Sequence, residues 1–230
     1  MKPLPIFVGY DEREEAGTHV FNASVLAHTT SPFAIIPLSK QILEKHIGWE
    51  FASGTNDFTV IRFLVPWLMD FEGPALFVDG ADMIANEDLA EIFKLYDPLY
   101  AVKVVKHEYM TKHHRKYVGT KMEAYNEDYP RKQWASVMLF SCGHPEWRKF
   151  TPEYVANQKK IDLLQFKDIT RIGSLPREWN HLADEDGEYE QAKIVHWTAG
   201  SPGFKHYRHT PMAADFLAYY TKMVHLTDGF

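Results

Sequence analysis

Apolar and polar positions alternate along the first hundred residues in blocks that change period. Four short apolar runs have the length and composition of buried strands, at residues 5–10, 32–38, 75–78 and 100–105. Three segments between them carry apolar side chains three and four positions apart, as amphipathic helices do, at residues 16–30, 56–69 and 87–96. Because strands and helices alternate, the pattern predicts an α/β fold with a mostly parallel central sheet flanked by helices.

Individual residues refine these elements. Pro37 lacks a backbone N–H, so the second strand should end early or lie at a sheet edge. Pro66 should kink the second helix, and Asn86 should cap the third. The buried face of the first helix is predicted to be formed by Val20, Ala23 and Ala27.

The pattern breaks down between residues 106 and 132, which are rich in charged and aromatic side chains. We expect a solvated, mobile loop on the acceptor side there, because neither period is present. Apolar runs return at residues 136–142 and 192–198 and predict two more strands. Residues 212–226 have the spacing of a closing helix.

The composition fits one globular core. The chain has 230 residues, of which 45% are hydrophobic, so we expect residues 1–230 to form one domain. Its net charge of −6 argues against a nucleic-acid groove as the main surface. Cys142 is the single cysteine, which excludes an internal disulfide and fits a reducing compartment. No apolar run suits a signal peptide or a membrane span, so we expect a soluble, cytoplasmic protein.

Two aspartates directly follow the apolar run at residues 75–78. Asp79 and Asp82 would repel each other in one turn unless a cation or hydrogen-bond donors compensate. Gly80 lets that turn be tight. Oxygen ligands of this kind suit Mg²⁺ or Mn²⁺. The alternative is that Asp79 ends a strand and Asp82 is a turn residue or a helix cap.

A histidine and several basic side chains follow the last predicted strand. His196 can be a third metal ligand or a hydrogen-bonded, half-buried residue. Lys205 and Arg208 can neutralise phosphate oxygens or be solvated. Arg62 lies among apolar positions of the second helix. It can reach a pyrophosphate or a neighbouring carboxylate, or it can extend its charged end into solvent.

Other chemistries lack their motifs. The chain has no Walker A sequence, no GxGxxG and no GxSxG, so ATPase, dinucleotide oxidoreductase and serine hydrolase functions have no support. His113 and His114 are adjacent and cannot easily face one metal, and HExxH is absent, which weakens a zinc interpretation.

Six segments resemble, in the same order, characteristic segments of family 8 glycosyltransferases and their relatives with the GT-A fold. They are PIFVGYDE, IRFLVPWLM, ALFVDGADMIANEDLAEIFKL, SVMLFSCGHPEW, IGSLPREWN and VHWTAGSPGFK. The matches extend over nearly the whole chain. Enzymes of this family transfer a sugar from a nucleotide-sugar donor, and they retain the anomeric configuration.

The resemblance implies one GT-A-like domain. Residues 1–105 would be its nucleotide-binding half, and residues 106–230 would hold the acceptor and complete the metal site. A Mn²⁺ or Mg²⁺ ion would bridge the phosphates of a UDP-sugar donor, and its implied ligands are Asp79, Asp82 and His196.

The remaining implied roles concern donor and acceptor. Arg62 and Lys205 would add positive charge at the diphosphate as the bond to the sugar breaks. The implied donor-binding residues are Gly9, Tyr10, Asp11, Asp79, Trp179 and Asn180. Within this set, Asp11 and Tyr10 would hold base and ribose, and Trp179 and Asn180 would line the sugar or acceptor pocket. The acceptor, a glycan, a lipid-linked group or a protein, is left open.

The sequence departs from the family pattern in three places. Its two aspartates are three positions apart instead of two, Ala135 and Ser136 replace an asparagine and a small residue, and the closing segment lacks KPW. A binding module without turnover is therefore one alternative. A nucleotidyltransferase is another, although VGYDEREEAG is acidic where such enzymes carry a basic phosphate loop.

Overall fold

A six-stranded mixed sheet is the centre of the computed structural model, which describes residues 2–225. The strands of the described chain are β1 (Leu4–Tyr10), β2 (Phe33–Ser39), β3 (Pro74–Val78), β4 (Met83–Ala85), β5 (Val102–Val104), β6 (Arg115–Lys116), β7 (Ala124–Tyr125), β8 (Val137–Ser141), β9 (Ile172–Ser174), β10 (His181–Leu182) and β11 (Ile194–His196). The helices are α1 (Glu15–His28), α2 (Lys40–Ile47), α3 (Val65–Leu68), α4 (Ala90–Phe93), α5 (Pro152–Ala156), α6 (Lys160–Leu164), α7 (Ala183–Asp186) and α8 (Ala213–His225).

The central sheet has the strand order β2-β1-β3-β8-β5-β9. Strand β1 pairs in parallel with β2 and β3, and β5 pairs in parallel with β9, whereas β8 runs antiparallel to both of its neighbours. The predicted α/β fold with a mostly parallel sheet is thus confirmed. Strand β2 keeps Pro37 and lies at the sheet edge, as one of the two expectations for that proline required.

Both faces of the central sheet are buried. Ile6 and Val8 of β1 belong to one apolar cluster, while Phe7 between them belongs to the cluster on the opposite face. Strand β3 repeats this alternation, with Leu76 on the first face and Phe77 on the second. This two-sided burial explains why these strands are continuous apolar runs in the sequence.

Strand ends on the central sheet meet at one edge. Strands β1, β3 and β5 end there, and β8 begins there, because Val78 pairs with Val137 and Val104 pairs with Met138. In open α/β sheets, ligands bind beyond the carboxyl ends of the strands. A ligand site is therefore expected at this edge of the sheet.

Three helix predictions need correction. The first helix buries Phe21 and Ser24, whereas Ala27 is exposed, because the helix packs on strand β4, which the sequence pattern did not reveal. Residues 56–69 form short helical turns and not one helix, and Pro66 lies in the first turn of α3, where a missing N–H costs nothing. Asn86 does not cap the third helix, whose N-cap position is Leu89, and the N–H of Ala90 donates to Asp88 Oδ1 at 2.9 Å.

The closing helix runs as predicted through Ala213–His225, and Leu226 lies outside the described residues. In the part of the chain that the structure describes, no helix combines the length and the apolar character needed to cross a lipid bilayer.

Candidate functional site

A cavity of about 290 Å³ lies at the edge where the strands end. Its walls include side chains from the predicted metal motif, from the last strand and from the segment 106–132. The charged residues and the histidine among its walls are Arg62, Asp79, Asp82, Lys116, Glu127, Arg131, Lys132, Lys160 and His196. The sequence places these residues far apart, so the fold is what assembles them.

A tight turn brings Asp79 and Asp82 to the same cavity. Gly80 adopts a φ of 83°, in the left-handed region that favours glycine, and a Cβ there would lie 2.4 Å from Val8. The N–H of Ala81 bonds to the carbonyl of Asp79 at 3.1 Å, which closes the turn. The spacing of three residues therefore still directs both carboxylates into one site.

Pairing of β4 with β11 brings His196 beside Asp82. His196 lies opposite Met83 in the antiparallel register, and the N–H of Trp197 donates to the carbonyl of Asp82 at 2.9 Å. As a result, His196 Nε2 lies 3.5 Å from Asp82 Oδ2, and both side chains are buried. Residues more than a hundred positions apart thus meet because two short strands pair.

Asn180 orients the imidazole of His196 and does not line a sugar pocket as predicted. Its Oδ1 lies 3.0 Å from His196 Nδ1, so that nitrogen carries the proton and Nε2 faces Asp82. Its Nδ2 donates to Ser136 Oγ at 2.8 Å, and its side chain is fully buried. This supporting position is typical of the outer shell around a metal-binding histidine.

Arg62 pairs with Asp79 in the interior. Its Nη1 lies 2.7 Å from Asp79 Oδ1 and donates to the Ala135 carbonyl, also at 2.7 Å. The hydrogen-bond geometry of the guanidinium favours the carbonyl oxygen of Ala135. Asp79 Oδ1 is therefore attracted to the guanidinium as an ion pair but accepts no well-directed hydrogen bond. The guanidinium also lies 5.0 Å from the centroid of the Phe77 ring. Of the alternatives open for Arg62, the structure selects the neighbouring carboxylate.

Burial and neighbouring charges shift the titration of this group. Burial raises the pKa of Asp79 to about 6, against the opposing pull of Arg62. Burial disfavours protonated His196, but the carboxylates of Asp82 and Asp79 outweigh it and raise the pKa of the imidazole. The cluster therefore holds like charges close together in a desolvated place, which is typical of functional sites.

The donor set fits a divalent cation in part. Within residues 2–225, no three His, Cys, Asp or Glu side chains are already arranged around one metal position. However, Asp82 Oδ1 is buried without a hydrogen-bond partner in the described residues, and His196 Nε2 lies 3.5 Å from Asp82 Oδ2. Asp79 is turned toward Arg62. Of the three predicted metal ligands, Asp82 and His196 thus lie side by side, and Asp79 is engaged by a guanidinium.

Part of the segment 106–132 is a wall of the cavity, whereas other residues such as His114 and Lys121 are exposed, as expected for a solvated loop. The N–H of Tyr117 donates to the carbonyl of Ala199 at 2.7 Å, and Tyr117 is 2% exposed. Its neighbour Lys116 projects into the cavity, and burial lowers the pKa of its ammonium group. No carboxylate of the described chain lies within 4.0 Å of Lys116 Nζ. Lys116 is therefore a cation available for an anionic ligand.

Backbone strain concentrates around this wall. Tyr117, Arg131 and Gln133 all have positive φ values, of 56°, 62° and 64°, and all three line the cavity. Residues other than glycine adopt this conformation at a cost of about 1–3 kcal/mol, and they cluster at functional sites.

A buried polar network fixes the strained Tyr117. Glu14 Oε2 accepts hydrogen bonds from Asn56 Nδ2 and from the Tyr117 hydroxyl, the latter at 3.4 Å. Burial and the nearby Asp82 carboxylate raise the pKa of Glu14 well above its ordinary value. The network therefore connects Glu14, near the start of the chain, to the cavity-lining residues Asn56 and Tyr117.

The end of β1 supports the site from outside the cavity. Asp11 is 2% exposed, and its carboxylate accepts from Arg13 Nε at 2.8 Å and from the N–H of Asp57 at 3.0 Å. A Cβ on Gly9 would lie 2.9 Å from the Asp79 carbonyl, so glycine permits close packing there. Tyr10 is half-buried at the end of the strand. None of the three is a cavity wall, and their predicted contact with base and ribose stays a prediction.

Two other predicted residues lie away from the cavity. Trp179 is 1% exposed and packs in the core against Ile194 and its neighbours, so it cannot line a pocket. Lys205 is exposed in the short helical turn Lys205–Tyr207 and is not among the cavity walls. Lys116, in contrast, lines the cavity.

Sequence reasoning missed Lys116, Tyr129 and Lys132. Tyr129 is a cavity wall close enough to Arg62 and Asp79 for their charges to influence its pKa, which burial raises. Lys132 is 5% exposed and lies 3.2 Å from Asp128. The available signal was the basic residues interleaved with tyrosines in the segment 106–132.

The fold is that of solved glycosyltransferases. The chain superimposes on the WbbM bifunctional glycosyltransferase with a TM-score of 0.65 at 12% identity, covering 95% of this chain and 49% of that one. It matches GlyE of Streptococcus pneumoniae TIGR4 with a TM-score of 0.57 at 14% identity, over 95% and 61% of the two chains. Mouse xyloside xylosyltransferase 1 gives 0.51 at 10% identity, over 85% and 98%. The chain spans only about half to three-fifths of WbbM and GlyE.

Sequence comparison identifies a nearer relative. No protein-family model matches the chain. Protein CDI of Arabidopsis thaliana is 36% identical over 213 residues, which cover 88% of this chain and 80% of that protein. Identity at this level over most of both proteins shows common descent, and the chain belongs to the family of Protein CDI.

Proposed function

We propose that the chain transfers a sugar from a nucleotide-sugar donor, a UDP-sugar, to an acceptor hydroxyl. The observation that carries this proposal is the convergence of Asp79, Asp82, His196 and Arg62 on one cavity at the carboxyl ends of the strands. The fold shared with glycosyltransferases supports the same function.

The diphosphate of the donor would lie between Arg62 and Lys116. Both cations line the cavity, and Lys116 has no carboxylate partner in the described residues. Charge-assisted hydrogen bonds from buried cations to phosphate oxygens are stronger than neutral ones. They also stabilise the negative charge that develops as the bond between sugar and phosphate breaks.

Asp82, His196 and Asp79 would hold a Mn²⁺ or Mg²⁺ ion. The buried Asp82 Oδ1 without a partner supports this assignment. When bound, such an ion neutralises the diphosphate as a leaving group. Asp79 would contribute once Arg62 turns from its carboxylate to the phosphates. Asn180 would keep His196 Nε2 directed toward the cation by holding Nδ1–H.

The transfer is balanced without further reactants. The bond from the anomeric carbon to the diphosphate oxygen breaks, and a bond from that carbon to the acceptor oxygen forms. The proton of the acceptor hydroxyl passes to an oxygen of the departing diphosphate, and the nucleoside diphosphate leaves. Retention of configuration is proposed from the resemblance to family 8 enzymes.

A non-catalytic binding module is the second candidate. The observation that favours it is the Arg62–Asp79 pair, which occupies one of the three proposed metal ligands. Such a protein would bind the nucleotide-sugar and release no product.

The experiment is a panel of nucleotide-sugars with and without Mn²⁺. Binding should raise the melting temperature by mass action, and slow release of UDP from one UDP-sugar is the expected enzymatic result. Binding without release would favour the module. If no nucleoside diphosphate or nucleotide-sugar shifts the melting temperature, the proposed function is wrong.

A further inference from the structure

The cavity collects positive charge in a chain that is acidic overall. Its cationic walls are Arg62, Lys116, Arg131, Lys132 and Lys160. Its carboxylates are fewer and comprise Asp79, Asp82 and Glu127. The whole chain carries a net charge of −6, so this excess is local. A local field of opposite sign to the net charge selects for anionic ligands.

Four of these five cations fall into two groups, and the fifth, Lys132, is paired with Asp128 at 3.2 Å. The charges of Arg62 and Lys116 both act to lower the pKa of Asp79. The proposed donor diphosphate would contact these two cations. Arg131 and Lys160 have no carboxylate within 4.0 Å in residues 2–225. Carbonyl oxygen holds Arg131 in place, since its Nη1 donates to Gln165 at 2.6 Å. Its position is thus fixed while its charge is not neutralised.

The same cavity is lined by exposed side chains that suit a sugar. Tyr125 lines the cavity and is 74% exposed, and Ile161 of α6 lines it and is 38% exposed. Lys160 is the first residue of α6, directly before Ile161. Solvent therefore reaches the cavity near the aromatic ring of Tyr125 and the ammonium group of Lys160.

We propose that the acceptor is a saccharide bearing an anionic group, the carboxylate of a uronic acid, which Arg131 and Lys160 recognise. This inference rests on the proposed function and names the acceptor class for the same cavity. A planar guanidinium matches a carboxylate in two-point contact, and an ammonium group adds a mobile second donor. The carboxylate takes no part in the bond changes, and a separate hydroxyl of the acceptor is glycosylated.

The test compares acceptors that differ only in charge. Glucuronic and galacturonic acid are each offered beside their methyl esters and their neutral parent sugars, with the UDP-sugar that the parent protein hydrolyses. The readout is UDP release above the hydrolysis rate, together with the melting temperature in the presence of UDP. We expect the acids to act and the esters to be at least about tenfold weaker, since a lost charge-assisted contact has that effect. The corresponding sugar phosphates form a second arm, and preference for them over the uronic acids would assign the anion as phosphate and overturn the carboxylate.

Variants locate the contact. Lys160→Gln should raise the KM for the acid about tenfold and Lys160→Glu should raise it further, whereas Lys159→Gln should keep both the KM for the acid and the rate of donor hydrolysis of the parent. Lys159→Gln is the matched control, because Lys159 is exposed, adjacent in sequence and not a cavity wall. Equal activity with acids and esters, or unchanged KM values in both Lys160 variants, would overturn the inference. In that case intact UDP binding and hydrolysis would leave the proposed function standing, whereas their absence would overturn both.

Discussion

Replacing Arg62 by methionine tests how the buried charges of the site are balanced. Arg62 is 5% exposed, and its Nη1 lies 2.7 Å from both Asp79 Oδ1 and the Ala135 carbonyl. Methionine fills similar space and keeps contact with the Phe77 ring, but it donates nothing. The variant therefore leaves one buried carboxylate without its cation and one carbonyl without its donor.

The cost depends on whether Asp79 is ionised. The pKa of Asp79 is raised to about 6 with Arg62 present, mainly by burial. At pH 5 most of the parent's Asp79 is neutral, so the variant loses chiefly the bond to Ala135, worth about 1.5–3 kcal/mol. At pH 8 the parent's Asp79 is charged and paired. In the variant, keeping Asp79 protonated above the parent's pKa of about 6 costs about 1.4 kcal/mol for each pH unit. Between pH 6 and pH 8 the stability lost by the variant relative to the parent should therefore grow by up to about 3 kcal/mol.

The sign follows from proton linkage. When the pKa of a carboxyl group is higher in the folded than in the unfolded protein, the protein loses stability as the pH rises from the unfolded pKa to the folded pKa. For the parent's Asp79 this loss ends near pH 6, where the folded protein also ionises. Without Arg62 the folded pKa is higher still, so the variant should keep losing stability toward pH 8.

Urea unfolding at pH 5 and pH 8 measures this difference, with the fluorescence of the buried Trp147, Trp179 and Trp197 as the signal. Arg148→Met is the control, because its guanidinium is exposed and lies over Phe71. Arg62→Met combined with Asp79→Asn should remove the pH-dependent part of the loss. A loss of the same size at both pH values, with or without Asp79, would refute the reasoning.

Three further predictions concern the surroundings of the site. Asn180→Ala should weaken the affinity for Mn²⁺ about 10–100-fold, because His196 Nδ1 loses its hydrogen-bond partner. Calorimetry measures this affinity beside that of the surface control Asn157→Ala, and equal affinities of the two variants would contradict the prediction. Glu14→Gln should flatten the fall of stability above pH 4.5, because burial raises the pKa of Glu14 and the amide does not titrate; parallel urea midpoints of parent and variant from pH 4 to 8 would speak against it. Lys116→Gln should weaken UDP binding about tenfold, whereas the exposed Lys121→Gln should not; similar UDP affinities for both variants would exclude the role of Lys116.

The sequence pattern predicted five of the six strands of the central sheet because they are apolar runs, whereas β9 was not predicted and the run at residues 192–198 forms β11 of a separate sheet. Runs such as the one ending at Val78 are short and continuously apolar, which favours a buried strand over a helix. Because they alternate with helical segments, their order predicted parallel pairing. The tight turn at Gly80 could be predicted because glycine favours such turns. The location of Asp79 and Asp82 at the end of a strand could be predicted because they follow an apolar run. These inferences depend on local chemistry, which the sequence displays directly.

The errors depend on contacts between distant segments. Strand β4 has only three residues, and nothing local marks it as the partner of β11, so the face of α1 that covers it was misassigned. Tyr117 is buried through Ala199 and Glu14, which no periodicity reveals. Asn180 was assigned to a sugar pocket because the resemblance gave its neighbourhood and not its direction. Its contact with His196 exists only in the folded chain.

Calorimetric titration of UDP in the presence of Mn²⁺ and of EDTA tests the central claim most directly. That claim is that Asp82 and His196 present a cation to a diphosphate in the cavity. The parent should bind UDP more tightly with Mn²⁺, and Asp82→Asn and His196→Gln should lose that gain while keeping the affinity measured in EDTA. Failure of the parent to bind UDP, or an undiminished Mn²⁺ effect in both variants, would contradict the account.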